Sequence, residues 1–237
     1  MRRQLQQRAL RRGSVDHCGS RDYRPGQRAT AGLVDAGHPA RARPFEAKAR
    51  HIPRRRPYIV RMTPIADIIT RDPVAMIQLR AVRKLALPDW CIAAGFVRNR
   101  VWDHLHGIVP AREPVDIDVL YFDAGDLSKE REAEHERRLT VLLPGLPWQV
   151  RNQARMHVWK DLPPHRDTAD AMIYWLETVT AVGVRLEDDD QLTVVAPLGT
   201  DDLLGLRCRP TAFGRTRRDE YETRIAAKRW REMWPRV

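Results

Sequence analysis

The chain has 237 residues, a length that allows one or two domains, and a formal net charge of +11. Residues 1–61 hold 16 Lys and Arg against 4 Asp and Glu, whereas residues 62–237 hold 26 basic and 27 acidic side chains. The excess positive charge belongs to the first quarter of the chain. The near-neutral remainder therefore does not have the basic composition expected of a nucleic-acid-binding domain.

The cysteines and the apolar runs exclude two further classes of protein. Cys18, Cys91 and Cys208 share no short spacing, so neither a disulfide framework nor a zinc knuckle is expected. No run approaches about 18 apolar residues, and the N-terminus lacks the apolar core of a secretory signal. We therefore expect free thiols, no membrane partner and a cytoplasmic location.

Residues 1–61 are rich in Arg, Gly and Pro and show neither helical nor strand periodicity. Such a segment buries too little apolar surface to offset the entropy lost on ordering, so we predict a disordered basic extension. It could be an upstream extension from a mis-assigned start, since a well-patterned domain begins at Met62. It could also be a basic arm for nucleic acid or an Arg-rich targeting peptide.

The pattern of residues 62–237 predicts an α+β domain, in which a small mixed sheet has flanking helices. Helices are predicted from Thr63-Pro64, from Asp72-Pro73 to about Leu87, and over residues 96–106, 127–143, 152–159, 168–175 and 217–234. Strands are predicted over residues 90–94, 115–122 and 148–151, with a hairpin of 181–186 and 192–196 around an acidic turn at 188–190.

Two carboxylates on one predicted strand carry the chemistry. Asp116 and Asp118 are separated by one residue, so they should face the same side, roughly 7 Å apart at Cα. Two acids on a buried strand are costly unless a cation neutralises them. Mg²⁺ or Mn²⁺, held by both carboxylates together with water and substrate phosphates, would do so.

A glycine between a buried strand and a helix lies about 20 residues before this pair. Gly95 would let the free N–H groups of the helix start approach a phosphate closely. Arg98, in the first turn, could reach the same anion, and Asn99 could donate a side-chain hydrogen bond. We therefore predict a phosphate-binding site beside a metal-binding site.

This arrangement resembles the DNA polymerase beta-type nucleotidyltransferase superfamily, and in particular one bacterial, uncharacterised branch of it. The resemblance covers nearly all of residues 62–237 and none of residues 1–61. Its core lies in Ala93-Ala94-Gly95-Phe96-Val97-Arg98-Asn99 and Asp116-Ile117-Asp118-Val119, and it continues in residues 152–157, 177–186, 196–199 and 228–235.

The resemblance implies a metal-dependent transfer of a nucleotidyl group from a nucleoside triphosphate to an unknown hydroxyl acceptor. It also implies that Asn152 and Arg155 line the substrate pocket, with Arg155 on a phosphate; a capping Asn on a surface helix is the plain alternative. Two departures stand out. Phe96 follows Gly95 where the superfamily has Gly or Ser, and the strand at residues 148–152 lacks the third acid that helps to activate the acceptor. A nucleotide-binding protein without transfer activity therefore remains the second hypothesis.

Overall fold

The structure is a computed structural model that describes residues 59–60, 63–109, 112, 115–160 and 162–237. The predictions made for residues 1–58 lie outside the described residues and stay predictions. Ile59–Val60 forms a short strand, β1, that pairs with the strand ending at Val195. The sheet thus includes two residues that the sequence pattern assigned to the basic segment.

The sheet is mixed, and its strands run in the order β1-β6-β5-β2-β3-β4. Only β3 and β4 are parallel to each other, and the other neighbours are antiparallel. This confirms the predicted α+β class with a small mixed sheet. The strands after β1 are β2 (Cys91–Ala93), β3 (Ile117–Tyr121), β4 (Trp148–Asn152), β5 (Gly183–Leu186) and β6 (Leu192–Val195).

Short helices flank the sheet: α1 (Pro64–Thr70), α2 (Pro73–Arg83), α3 (Gly95–Leu105), α4 (Lys129–Leu142), α5 (Thr168–Met172), α6 (Asp201–Leu204), α7 (Ala212–Thr216), α8 (Arg218–Lys228) and α9 (Trp230–Met233). The first two begin where proline predicted them. The side chains of Thr63 and Asp72 accept hydrogen bonds from the first-turn amides and cap these helices.

The two faces of the sheet bury different residues, because side chains alternate along each strand. Ile117, Val119 and Tyr121 of β3 point into the main core, together with residues of α1, α2 and α3. Leu120 points to the other face, where it belongs to a smaller cluster with Cys91, Ala93, Met172 and Ala181. Asp118 shares the parity of Leu120, so the acidic residue of β3 lies on this second, lightly covered face.

Four predicted helices were wrong in extent or type, and one of them, predicted over residues 168–175, ends at Met172. α2 ends at Arg83 rather than near Leu87, because the chain turns there and Ala86 adopts a φ of 53°. Asn152 ends β4, and Gln153–Lys160 forms a 3₁₀ helix. The terminal helix breaks at Arg229, whose left-handed backbone (φ 49°) separates α8 from α9.

The break at Arg229 decides how the C-terminus packs. Trp230 and Trp234 are buried, whereas the nearby Ala226, Ala227 and Met233 are exposed. Both indoles contact Trp102 edge-on, at ring-centroid distances of 5.5 and 5.2 Å. The C-terminal segment is therefore anchored on α3, the helix that starts at the candidate site.

Candidate nucleotide and metal site

The acidic pair stands at the start of β3. Asp118 is the second residue of the strand, and Asp116 immediately precedes it rather than lying within the strand as predicted. Ala93 of β2 pairs with Asp118 on one side, and Gln149 of β4 pairs with it on the other. The Asp118 side chain is 9 % exposed and accepts no hydrogen bond from the described residues, whereas Asp116 is partly exposed.

The two carboxylates are electrostatically unfavourable as they stand. Burial, followed by the nearby charge of Asp116, raises the pKa of Asp118 to about 7, although three arginines act in the opposite direction. Burial likewise raises the pKa of Asp116, against the lowering effect of Arg98 and Arg224. A bound cation would relieve both costs.

The two carboxylates fit a metal ion that takes some of its ligands from the substrate. No group of three or more His, Cys, Asp or Glu side chains able to hold a metal ion occurs among the described residues. Two neighbouring carboxylates with no closed protein cage match Mg²⁺ or Mn²⁺, which keep water and phosphate oxygens as ligands. Asp116 and Asp118 would hold such an ion.

The start of α3 adjoins the acidic pair through the pairing of Ala93 with Asp118. Gly95 is the first residue of this helix, one position earlier than predicted, and its amide and that of Phe96 meet no acceptor among the described residues. Ala94 makes the turn with a φ of 53°, and its amide donates to the carbonyl of Val182 at 3.1 Å. Two free amides at a helix start suit an anion.

Arg98 lies in the first turn of α3 and is 5 % exposed. Its guanidinium stacks on Trp230 at 4.3 Å, and its Nη2 donates to Asn99 Oδ1 at 2.8 Å. Its Nε and Nη1 are buried without a hydrogen-bond partner among the described residues. Burial lowers the pKa of Arg98 to about 10, so the side chain stays cationic and retains unused donors near both carboxylates.

The structure brings two further residues to this cluster. Glu177 is buried, and its carboxylate accepts hydrogen bonds from Arg224 Nε at 2.5 Å and from the Thr180 hydroxyl at 3.0 Å. Glu177 lies in residues 177–186, where the sequence resemblance continues, whereas nothing in the sequence pointed to Arg224. Arg224 is one of two arginines in the mostly polar helix α8, and its partner lies 47 residues away in the chain.

Asn152 and Arg155, predicted in the substrate pocket, are not brought to the acidic pair. Asn152 lies at the far end of β4, opposite Tyr121 rather than Asp118. Its side chain accepts from the amides of Asp123 and Ala154 and donates to two carbonyls. Arg155 forms a two-point ion pair with the buried Glu132. These bonds tie Asn152 to the loop after β3 and Arg155 to α4, and the role of both residues in binding phosphate stays a prediction.

An acidic pair beside a glycine-initiated helix is the arrangement in which the sequence resembles nucleotidyltransferases, and comparison with known proteins supports the same class. A family model described as "Nucleotidyltransferase" matches residues 80–237. This match covers well over half of the chain, and the chain therefore belongs to this nucleotidyltransferase family. No curated protein matches the sequence.

Solved structures resemble the chain as well. One, described as an NMR structure that reveals a CCA-adding enzyme head domain, is 33 % identical, with a TM-score of 0.66 over 75 % of this chain and 95 % of that one. Two complexes of CCA-adding enzyme, with CTP and with ATP, are 16 % and 17 % identical, with TM-scores of 0.38 and 0.37. These matches cover 59 % and 63 % of this chain and 34 % of the matched chains. Structural likenesses this weak support no conclusion.

Proposed function

We propose that the protein is a metal-dependent nucleotidyltransferase that moves a nucleotidyl group from a nucleoside triphosphate to a hydroxyl acceptor and releases pyrophosphate. The observation that carries the proposal is the buried Asp118 carboxylate, which no hydrogen bond from the described residues satisfies and which lies next to Asp116. Membership of the family and the likeness to a CCA-adding enzyme head domain support the same reaction class.

In this proposal the chain binds and orients the nucleotide. Asp116 and Asp118 hold Mg²⁺ or Mn²⁺, which when bound neutralises phosphate charge and orients the reacting oxygens. The free amides at the start of α3 and the unused donors of Arg98 bind phosphate oxygens. Asn99 orients Arg98 through its side-chain oxygen. Placement in the polymerase beta-type superfamily and a cytoplasmic location belong to the same proposal.

A nucleotide-binding protein without transfer activity is the second candidate, and one observation favours it. β4, the strand on which a third acid was sought, carries none, and both oxygens of the nearby Glu177 are already engaged by Arg224 and Thr180. Neither β4 nor Glu177 therefore offers a free carboxylate to accept the proton of an acceptor hydroxyl, and the substrate or another residue would have to do so.

A labelling experiment with the full-length protein separates these candidates. The protein is incubated with each of four α-labelled nucleoside triphosphates, Mg²⁺ or Mn²⁺ and a cell extract as the acceptor source, and both bound and transferred label are measured. Asp116→Asn and Asp118→Asn are the test variants. Asp188→Asn, an exposed substitution in the β5–β6 turn, is the matched control.

The proposed transferase predicts metal-dependent label transfer by the wild type and by the Asp188→Asn control, and its loss in both test variants. Metal-dependent binding without transfer would support the second candidate. Equal transfer by wild type and test variants would refute the role of the acidic pair.

A further inference from the structure

The ion pair between Glu177 and Arg224 is more buried and better hydrogen-bonded than an ion pair at the surface. Glu177 is 1 % exposed, and each of its carboxylate oxygens accepts a hydrogen bond, one from Arg224 Nε and one from the Thr180 hydroxyl. A carboxylate held at both oxygens cannot easily rotate. Glu177 therefore fixes the guanidinium of Arg224 in one orientation.

Attachment of α8 to the fold is a weak explanation for this pair. α8 is also attached through a bond from the Tyr221 hydroxyl to the carbonyl of Cys208 and through partial packing of Ile225, so the ion pair is not its sole attachment. Burying an ionised carboxylate is expensive, and an apolar contact would hold a surface helix equally well. The pair is better explained by the place where it puts the guanidinium.

The ion pair places the guanidinium of Arg224 near the acidic pair, Asp116 and Asp118. Glu177 bonds the hydroxyl of Thr180, and two residues later the carbonyl of Val182 accepts the amide of Ala94 at the start of α3. Ala93, the residue before Ala94, pairs with Asp118, so the chain brings the Glu177–Arg224 pair to the side of the sheet where the acidic pair begins. The charge of Arg224 accordingly acts on Asp116, Asp118 and Arg98. Arg224 engages Glu177 only through Nε, and its two terminal nitrogens make no bond with the described residues. Arg98 contributes a buried Nε and Nη1 that also lack partners there.

Two guanidinium groups that are close together and have unused donors are stabilised when an anion lies between them. The planar guanidinium matches two phosphate oxygens at once, and it does so better than an ammonium group. Arg98 is almost fully buried, whereas the Arg224 side chain is 20 % exposed. The two arginines therefore lie at different depths below the surface. This spread suits a chain of phosphates rather than a single phosphate.

We propose that Arg224, positioned by Glu177, is a substrate-binding residue that contacts the polyphosphate of the nucleotide together with Arg98. The proposal rests on the nucleotide site proposed above and adds a residue from the C-terminal helix to it. Arg224 contacts the substrate, whereas Glu177 acts only through Arg224 and is a positioning residue.

Nucleotide affinity of the full-length protein tests this. The dissociation constants for MgATP, for the other three triphosphates and for AMP are measured by calorimetry for wild type, Arg224→Gln and Arg224→Lys. Loss of one charged, hydrogen-bonded contact should weaken triphosphate binding about tenfold to a hundredfold in Arg224→Gln, with a partial return in Arg224→Lys. Binding of AMP should change by less than about threefold, because it lacks the distal phosphates.

The matched control is Arg218→Gln, which makes the same chemical change on the same helix. Arg218 is 80 % exposed and pairs only with Glu222 at the surface, so triphosphate affinity should match that of the wild type. An equal loss of affinity in Arg218→Gln and Arg224→Gln would mean that the overall charge of α8 matters rather than the position of Arg224, and it would overturn the proposal.

Arg224→Gln leaves the charge of Glu177 buried and could lower stability by itself. The double variant Glu177→Gln, Arg224→Gln replaces the ion pair by two neutral amides and removes that cost. If this variant melts like the wild type and still loses triphosphate affinity, Arg224 contacts the substrate. If it binds triphosphate as tightly as the wild type, the pair is structural and the proposal is refuted.

The same measurements separate this proposal from the function on which it rests. Wild-type protein that binds no triphosphate with Mg²⁺ or Mn²⁺ would overturn both. Wild-type binding that Asp118→Asn abolishes and Arg224→Gln leaves unchanged would overturn the role of Arg224 alone.

Discussion

Replacing Asp118 by Asn should stabilise the metal-free protein at pH 8, although it removes a central residue of the candidate site. The carboxylate is nine-tenths buried and lacks hydrogen bonds from the described residues, and burial raises its pKa from 3.8 to about 7. The unfolded chain therefore ionises at lower pH than the folded protein. Each pKa unit is worth about 1.36 kcal/mol, so a shift of roughly three units gives a penalty of up to about 4 kcal/mol above pH 7.

The sign of the pH dependence follows from the raised pKa. Below about pH 4 both states are protonated and Asp118 costs nothing. Between about pH 4 and pH 7 the folded state binds more protons than the unfolded state, so the free energy of unfolding falls as the pH rises. Asn is nearly isosteric with the neutral acid and does not titrate. The variant should therefore lose this slope, while groups that do not interact with Asp118 contribute equally to both proteins.

Urea denaturation of wild type and Asp118→Asn from pH 4 to pH 8, in the presence of a chelator, measures the difference. Added Mg²⁺ and triphosphate should then stabilise the wild type at pH 8 and leave the variant unchanged. A variant that is less stable than the wild type at pH 8 without metal would refute the reasoning. So would a difference between the two proteins that does not change with pH.

Three further predictions concern residues outside the acidic pair. Trp234→Ala should lower the free energy of unfolding by about 3–5 kcal/mol, since it removes a buried indole, whereas Met233→Ala at the surface should change it by less than about 1 kcal/mol in the same urea titration. Asn152→Ala should cost about 2–3 kcal/mol of stability through lost internal hydrogen bonds but leave the dissociation constant for MgATP unchanged; weaker binding at full stability would restore its predicted phosphate role. Gly183→Ala should cost about 1–3 kcal/mol, because a Cβ there would lie 2.7 Å from Cys91 Sγ. Cys91→Ala should recover part of that loss, and equal losses in both backgrounds would contradict the clash.

The α+β class and the central motif could be predicted because their signals are local. A short apolar run, a glycine and a helix-period pattern are enough to predict β2 followed by α3. The spacing of Asp116 and Asp118 predicts that both carboxylates lie on one side of the chain, and the structure has both residues at the start of β3. Prolines after Thr63 and Asp72 mark the starts of α1 and α2, since a proline in the first turn loses no helical hydrogen bond.

The roles of several polar residues could not be predicted, because they depend on partners far away in the chain. Asn152 looked available for substrate, yet its hydrogen bonds reach back 26 and 29 residues to the loop after β3. Arg155 likewise faces Glu132 of α4 rather than the acidic pair. A polar side chain in a sequence shows which bonds it can form, and only the packing of strands and helices shows which of them are taken.

The sequence by itself determined a glycine-started helix and two acids at the start of the following strand, because each of these features depends on neighbours in the chain. Tertiary structure alone decided the cationic side of the site. It buried the Arg98 guanidinium against Trp230, and it brought Arg224 to Glu177 across 47 residues. The turn at Arg229 allows both, because it directs α9 onto α3 and leaves α8 near the acidic pair.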